Sequence, residues 1–162
     1  MTAPTLAPAI QAFWVAFEAA AGGGRLPRFY EAFHFGDSAP LANELAELVL
    51  RGTKRATAGL VWSFEAAGRA LPKPGDLSVV TNWADEPLCV IETTDVQVVP
   101  FRSVSAEFAS VEGEGDGSLE HWRDVHWAYF GRECGRIGKM PSDTMPVTCE
   151  RFDVVYRGES RT

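Results

Sequence analysis

Apolar residues recur along this chain with two different periods, and the switches between them mark its elements. Ala9 to Ala21 carry Phe13, Trp14 and Phe17 at helical spacing, and Gly22-Gly23-Gly24 ends that segment. Residues up to Pro8 read as a flexible arm. The central helix begins near Leu41, with Leu41, Leu45 and Leu48 on one face and Ala42 and Val49 widening the stripe. Asp37 or Ser38 can cap it, and Pro40 suits a first turn, where no N–H is needed. Gly52 sits where such a helix stops, because glycine takes left-handed backbone angles without a Cβ penalty. Arg28 to Asp37 is aromatic-rich and feeds this helix, with His34 between Phe33 and Phe35 reading as a hydrogen-bonded structural residue.

Leu60 to Ala67 reads as a short helix, and Pro72-Lys73-Pro74-Gly75-Asp76 is turn chemistry. Leu77, Val79, Thr81 and Trp83 then alternate as a strand. Asp85-Glu86-Pro87 turns the chain into Leu88 to Val99, a longer strand rich in β-branched residues, so the two predict a hairpin. A further helix over Ser118 to Cys134 gathers Leu119, Trp122, Val125, His126, Tyr129 and Phe130 on a broad aromatic face, where His126 reads as a buried, satisfied histidine. Gly135 to Pro146 is irregular, and Val147 to Tyr156 forms a last strand. Its apolar positions change parity near Glu150 and Arg151, which predicts a bulge of the kind that bends strands in barrels.

The pattern describes one α+β domain over residues 25–158, with an N-terminal arm and helix over residues 1–24 packing on it. Its 162 residues and 46% hydrophobic content suffice for a core without staples. A net charge of -7 repels nucleic acid overall, so any RNA contact must come from a local patch or a nucleoside-sized pocket. Cys89, Cys134 and Cys149 are odd in number and form no Cys-x-x-Cys pair, which fits reduced thiols and argues against zinc. No apolar run approaches the roughly 18 residues of a membrane span, and the N-terminus lacks a basic leader region, so a cytoplasmic protein is expected.

The candidate chemistry starts just past the central helix. Lys54 and Thr57 follow its glycine stop, an ammonium and a hydroxyl presented from a fixed turn. They suit base and nucleophile, or two anchors for a phosphate or base edge; they also read as a solvated loop lysine and an ordinary strand threonine. Lys73, at the mouth of the hairpin, reads as a solvated turn lysine first and as one that reaches a ligand second. Glu112, Glu114 and Asp116 alternate with glycines in a manner that suggests calcium. Counting Glu112 as position one, however, puts Arg123 at position twelve, where an EF-hand needs a bidentate glutamate. An EF-hand is excluded; a looser divalent site and a mobile acidic glycine loop leading to a helix are the two readings left, and no metal ligands are assigned.

Gly52-Thr53-Lys54-Arg55-Ala56-Thr57 after an amphipathic helix resembles the signature of the ASCH domain. So do Phe35-Gly36-Asp37, Glu112 to Leu119, Trp122-Arg123 with His126, Pro146-Val147 and Phe152 to Tyr156. The resemblance spans roughly Phe29 to Tyr156. It implies a PUA-like β-barrel with flanking helices and a partner that is RNA or a nucleoside. Some members of that family are amidohydrolases that remove the acetyl group of N4-acetylcytidine. By motif position Lys54, Thr57 and Glu112 would be catalytic here, with Glu114 and Glu92 as rival carboxylates and Gly52, Arg55, Lys73 and Ser118 near the substrate. In that chemistry Lys54, its pKa lowered by burial, takes the proton of Thr57, and Glu112 protonates the leaving amine. Other members resemble metal-stimulated ribonucleases, for which a divalent metal would be the cofactor, and others are RNA-binding modules.

Overall fold

The computed structural model of the chain describes residues 5–158. The first four residues of the expected arm lie outside that range. Helix α1 spans Pro8–Ala21 and buries Ile10, Trp14 and Phe17. Ser38, rather than Asp37, caps α2 (Ala39–Leu50): its Oγ accepts the Leu41 N–H at 3.4 Å. Asp37 is spent on Arg132, whose Nε donates to it at 2.8 Å. Gly52 takes φ 81°, and the N–H groups of Thr53 and Lys54 both return to the Leu48 carbonyl. These bonds close the helix end and fix the chain that follows.

Strands β1 (Phe29–Phe33), β2 (Ala56–Leu60), β3 (Leu77–Thr81), β4 (Pro87–Pro100) and β5 (Pro146–Arg157) make one sheet in the order β1-β3-β4-β5-β2. The expected hairpin is β3 and β4, paired antiparallel. Strand β1 joins β3 in parallel, a pairing that the aromatic run over Arg28 to Asp37 did not signal. The remaining helices are α3 (Val61–Ala66), α4 (Ala106–Glu112) and α5 (Leu119–Ile137). Helix α5 continues past the expected stop at Cys134 because Ile137 still packs on the core, and the left-handed cap falls at Gly138, φ 72°.

The expected closed barrel is not formed. Among the described residues β1 and β2 are the two edges of an open sheet, with no ladder between them. The bulge expected at Glu150 and Arg151 also needs correcting. The β4–β5 ladder does slip opposite Arg151 and Phe152, but the additional residue is Thr94 on β4. The parity change has a second cause: β5 is covered on both faces. Val147 and Cys149 pack with Phe101, Trp122 and Phe130, while Phe152 packs with Leu45, Val49 and Ile91. A third cluster seats Trp14 and Phe17 of α1 on Leu77, Val79 and Val90.

All three cysteines are free and buried. No helix among the described residues is long and apolar enough to cross a membrane. Phe152, 2% exposed, ties β5 to α2. Phe152→Ala is expected to cost about 3–5 kcal/mol through lost burial and the cavity left behind. Urea unfolding measures this, and a loss below about 1 kcal/mol would place the α2 contact outside the stabilising core.

Candidate functional site

Lys54 leaves the α2 terminus with its side chain directed inward and no exposed surface. An ammonium has three N–H donors, and each one here meets an acceptor. Nζ donates to the Ala56 carbonyl at 2.7 Å, to Glu112 Oε2 at 2.9 Å and to Glu114 Oε1 at 3.0 Å. Phe35 lies 5.2 Å from the same nitrogen. The turn carrying Lys54 is pinned from the far side as well, because Arg55 N–H donates to Val111 at the end of α4 and the Arg55 carbonyl accepts from Phe152.

Glu112 is the last residue of α4 and is also fully buried. Its second oxygen, Oε1, accepts from Trp122 Nε1 at 2.8 Å and lies 3.4 Å from His126 Nε2. His126 stacks on Trp122 with ring centroids 4.1 Å apart. Its Nδ1 is 2.9 Å from the Trp122 carbonyl, which can only accept, so Nδ1 carries a proton. Nε2 then faces Glu112 and, at 3.8 Å, Glu114.

The geometry of Glu114 depends on two glycines. Gly113 has φ 67°, and a Cβ there would lie 2.3 Å from the Thr53 carbonyl oxygen. Gly115 has φ 59°, and a Cβ would lie 2.2 Å from His121 Nε2. Gly113 thus leaves no room for a side chain against the Lys54 loop, and both glycines supply the left-handed backbone angles on which the turn around Glu114 depends.

Burial works against every charge in this group, and mutual pairing decides the outcome. Burial alone would drain the charge from Lys54, but Glu112 and Glu114 outweigh it and hold its pKa above the ordinary value. The lowered pKa expected of Lys54 is thus reversed, because two carboxylates sit on its nitrogen. Burial likewise opposes charge on His126, and Glu112 again outweighs it, raising the imidazole. Glu112 is held well below the usual carboxylate range: burial opposes ionisation, while Lys54 and His126 favour it more strongly. Glu114 is raised, first by burial and then by the Glu112 charge, against the pull of Lys54. Lys54 and His126 thus face two carboxyl groups in one buried cluster, each pair favouring the charged form that burial opposes.

A cavity of about 280 Å³ opens in front of these carboxylates. Both edge strands line it, β1 through Glu31 and Phe33 and β2 through Thr57, Ala58 and Gly59. Helix α5 contributes His126, Tyr129 and Arg132, and Glu112, Glu114, Arg69 and Glu150 bring further charge. Thr57 lies in its wall, and its hydroxyl has no hydrogen-bond partner among the described residues. Lys54 lies behind the carboxylates.

The ASCH domain family model matches residues 31–156. The chain belongs to the ASCH domain family. Among solved structures it resembles an ASCH domain from Lactobacillus crispatus JV V101, at 35% identity and a TM-score of 0.87, covering 94% of this chain and 97% of that one. It also resembles a protein from Enterococcus faecalis V583, at 28% identity and a TM-score of 0.83, covering 92% and 89%. A hypothetical protein at 16% identity and a TM-score of 0.51, covering 78% and 97%, shares the fold. Comparison with curated proteins gives no match. ASCH domains generally bind RNA and have a PUA-like fold.

In this ASCH domain the structure brings Lys54, Glu112 and Glu114 together and sets Thr57 in the same cavity. Glu92, the other rival carboxylate, pairs with Arg28 at 3.1 Å instead. Gly52, Arg55, Lys73 and Ser118 do not line the cavity. Gly52 ends α2 and Arg55 is exposed. Lys73 pairs with Asp76 at 2.8 Å, and Ser118 caps α5 through His121 N–H at 3.1 Å. Sequence reasoning missed Glu31, Arg69 and Glu150. These residues are far apart in the chain, and only strand pairing collects them.

Glu112, Glu114 and His126 offer ligand atoms within 4.8 Å of one another, the donor set a divalent ion would use. His126 Nδ1–H, held by the Trp122 carbonyl, leaves Nε2 directed at both carboxylates, as in a metal-ligating histidine. The Lys54 ammonium already bonds one oxygen of each carboxylate, and a dication would have to compete with that charge.

Lys54→Met should destabilise the domain by about 3–5 kcal/mol, since it strands buried carboxylates, and Lys54→Met with Glu112→Gln should recover part of that loss. Chemical denaturation at neutral pH reads both; a single variant as stable as wild type would contradict the ion-pair account. Because the folded pKa of Glu112 lies below its ordinary 4.5, its contribution is complete above that pH and is lost as pH falls further. Acid unfolding of Glu112→Gln should accordingly be less steep than that of wild type.

Proposed function

We propose that this ASCH domain takes a pyrimidine base into the cavity, from a nucleoside or an RNA chain, and hydrolyses an acyl group on its exocyclic amine. The observation that carries this reading is Thr57: an unpartnered hydroxyl in the wall of a nucleoside-sized cavity that also contains the Glu112–Glu114–His126 cluster. Glu31, Glu112, Glu114 and Glu150 all line this space, and such a lining repels phosphate. It favours a neutral base whose N–H groups donate to carboxylates, as the cytosine amine does. A net charge of -7 points the same way, toward a small ligand and away from a long polyanion.

In this reading Thr57 Oγ1 attacks the acyl carbon, the base leaves with its amine, and water then cleaves the threonine ester. The roles of Lys54 and Glu112 differ from base and acid. A saturated ammonium has no lone pair to accept a proton, and a carboxylate held so far down has none to give. Lys54 instead fixes the two carboxylates in place, a positioning role. The ribonuclease alternative is disfavoured by the Lys54 ammonium, which competes with a divalent ion for both carboxylates.

A second reading, a non-catalytic RNA-binding module, is favoured by Arg69 and Arg132 at the cavity. Both are paired, to Glu31 and Asp37, and phosphates would have to compete with those partners.

Incubation of the purified protein with N4-acetylcytidine is expected to release acetate and cytidine. Thr57→Ala should abolish release, Thr57→Ser should retain part of it, and EDTA should leave it unchanged. The binding-module reading instead expects no release and an affinity for short RNA that falls steeply with added salt. Release that survives Thr57→Ala would remove the hydroxyl from the mechanism.

A further inference from the structure

The cavity holds a carboxyl that the proposed chemistry has not yet used. Thr57 and Glu150 are direct partners in the antiparallel β2–β5 ladder. Residues opposed in this way point to the same face of a sheet, with Cβ atoms about 4.5–5.5 Å apart. Both line the cavity. Thr93 on β4 donates its hydroxyl to Glu150 Oε2 at 2.6 Å, which fixes the carboxyl, and Oε1 has no hydrogen-bond partner among the described residues. Of the other carboxyls that line this space, Glu31 pairs with Arg69, Glu112 accepts from Lys54 and Trp122, and Glu114 spends an oxygen on Lys54.

The geometry points to Glu150 as the acid–base residue of the site, taking the proton of the Thr57 hydroxyl and returning it to the leaving amine. This rests on the hydrolytic reading above. In the first half-reaction the Thr57 O–C bond forms and the C–N bond breaks, while one proton passes from Thr57 through Glu150 to nitrogen. In the second, water adds to the ester carbon and the Thr57 O–C bond breaks. The proton of that water passes through Glu150 to the threonine oxygen. The acid is released and the enzyme is restored, with no further reactant consumed.

The surroundings of Glu150 suit it to this task. Burial pushes its pKa up, Thr93 and Lys54 pull it down, and Glu31 from β1 and Asp76 before β3 push it up again, to about 7. Arg69 follows α3, paired with Glu31. From the α5 side, His126 and Arg132 face the same cavity, as do Glu112 and Glu114. A group that titrates near neutrality can both accept and donate a proton at working pH.

The test is the pH profile of kcat/KM for acetate release by wild type and Glu150→Gln, with folding of both checked by thermal unfolding. Glutamine keeps an acceptor for Thr93 but cannot carry a proton. Wild-type activity should rise as pH passes through about 7, as Glu150 ionises. Glu150→Gln should lose that limb and fall by about 10²–10⁴-fold. A folded Glu150→Gln that keeps the limb, or falls by less than about threefold, would overturn the assignment to Glu150 while leaving Thr57 hydrolysis standing. Absence of release by wild type overturns the hydrolytic reading and Glu150's role with it. Loss of the limb in Glu114→Gln alone would assign the proton to Glu114.

Discussion

A lysine with no exposed surface keeps its charge only where the protein replaces water at every donor. Lys54 meets this condition with one backbone carbonyl and two carboxylates. Lys54 and Ala56 belong to one part of the chain and Glu112 and Glu114 to another, so the ion cluster is also a joint. It holds the end of α2, the start of β2 and the loop between α4 and α5 against one another. Isolated charges at this depth would cost several kcal/mol each; the mutual pairing of Lys54, His126, Glu112 and Glu114 offsets most of that. The surrounding aromatic rings, Phe35 and Trp122 among them, exclude water and so tighten the demand for exact partners.

The same joint shapes the cavity. With the sheet left open between β1 and β2, residues of both edges face a common space, and the carboxylates of the cluster form part of its wall. A closed barrel would have spent those edges on hydrogen bonds. The open seam instead leaves room for a planar ligand and sets Thr57 and Glu150 side by side in its lining. A rigid ion cluster next to a hydroxyl with no partner among the described residues is the pre-organisation that the proposed hydrolysis calls for, since in that reading neither the charges nor Thr57 must move.

The protonation states follow from connectivity as much as from burial. Two residues of one type diverge here: Glu112 is driven down by Lys54 and His126, while Glu150 is driven up by burial and by Glu31 and Asp76. One carboxyl is thereby fixed as a structural anion and the other is free to exchange a proton near neutrality. Divergence of this sort between neighbouring acids is how one pocket can separate charge stabilisation from proton transfer.

Local pattern in the sequence settled a good deal. The spacing of Leu41, Leu45 and Leu48 set α2, Gly52 and a cap at Asp37 or Ser38 marked its ends, the alternation after Leu77 set the β3–β4 hairpin, and the ordered motifs from Phe35 to Tyr156 set the family. These are short-range preferences, carried by a few neighbouring residues each. The parallel β1–β3 pairing, the open seam, the second covered face of β5 and the raised pKa of Lys54 were decided by tertiary structure. Each depends on residues far apart in the chain meeting in space: Lys54 is separated from Glu112 by 58 positions, and Glu150 from Thr93 by 57. Burial and partner together fix a charge, and spacing along a chain encodes neither.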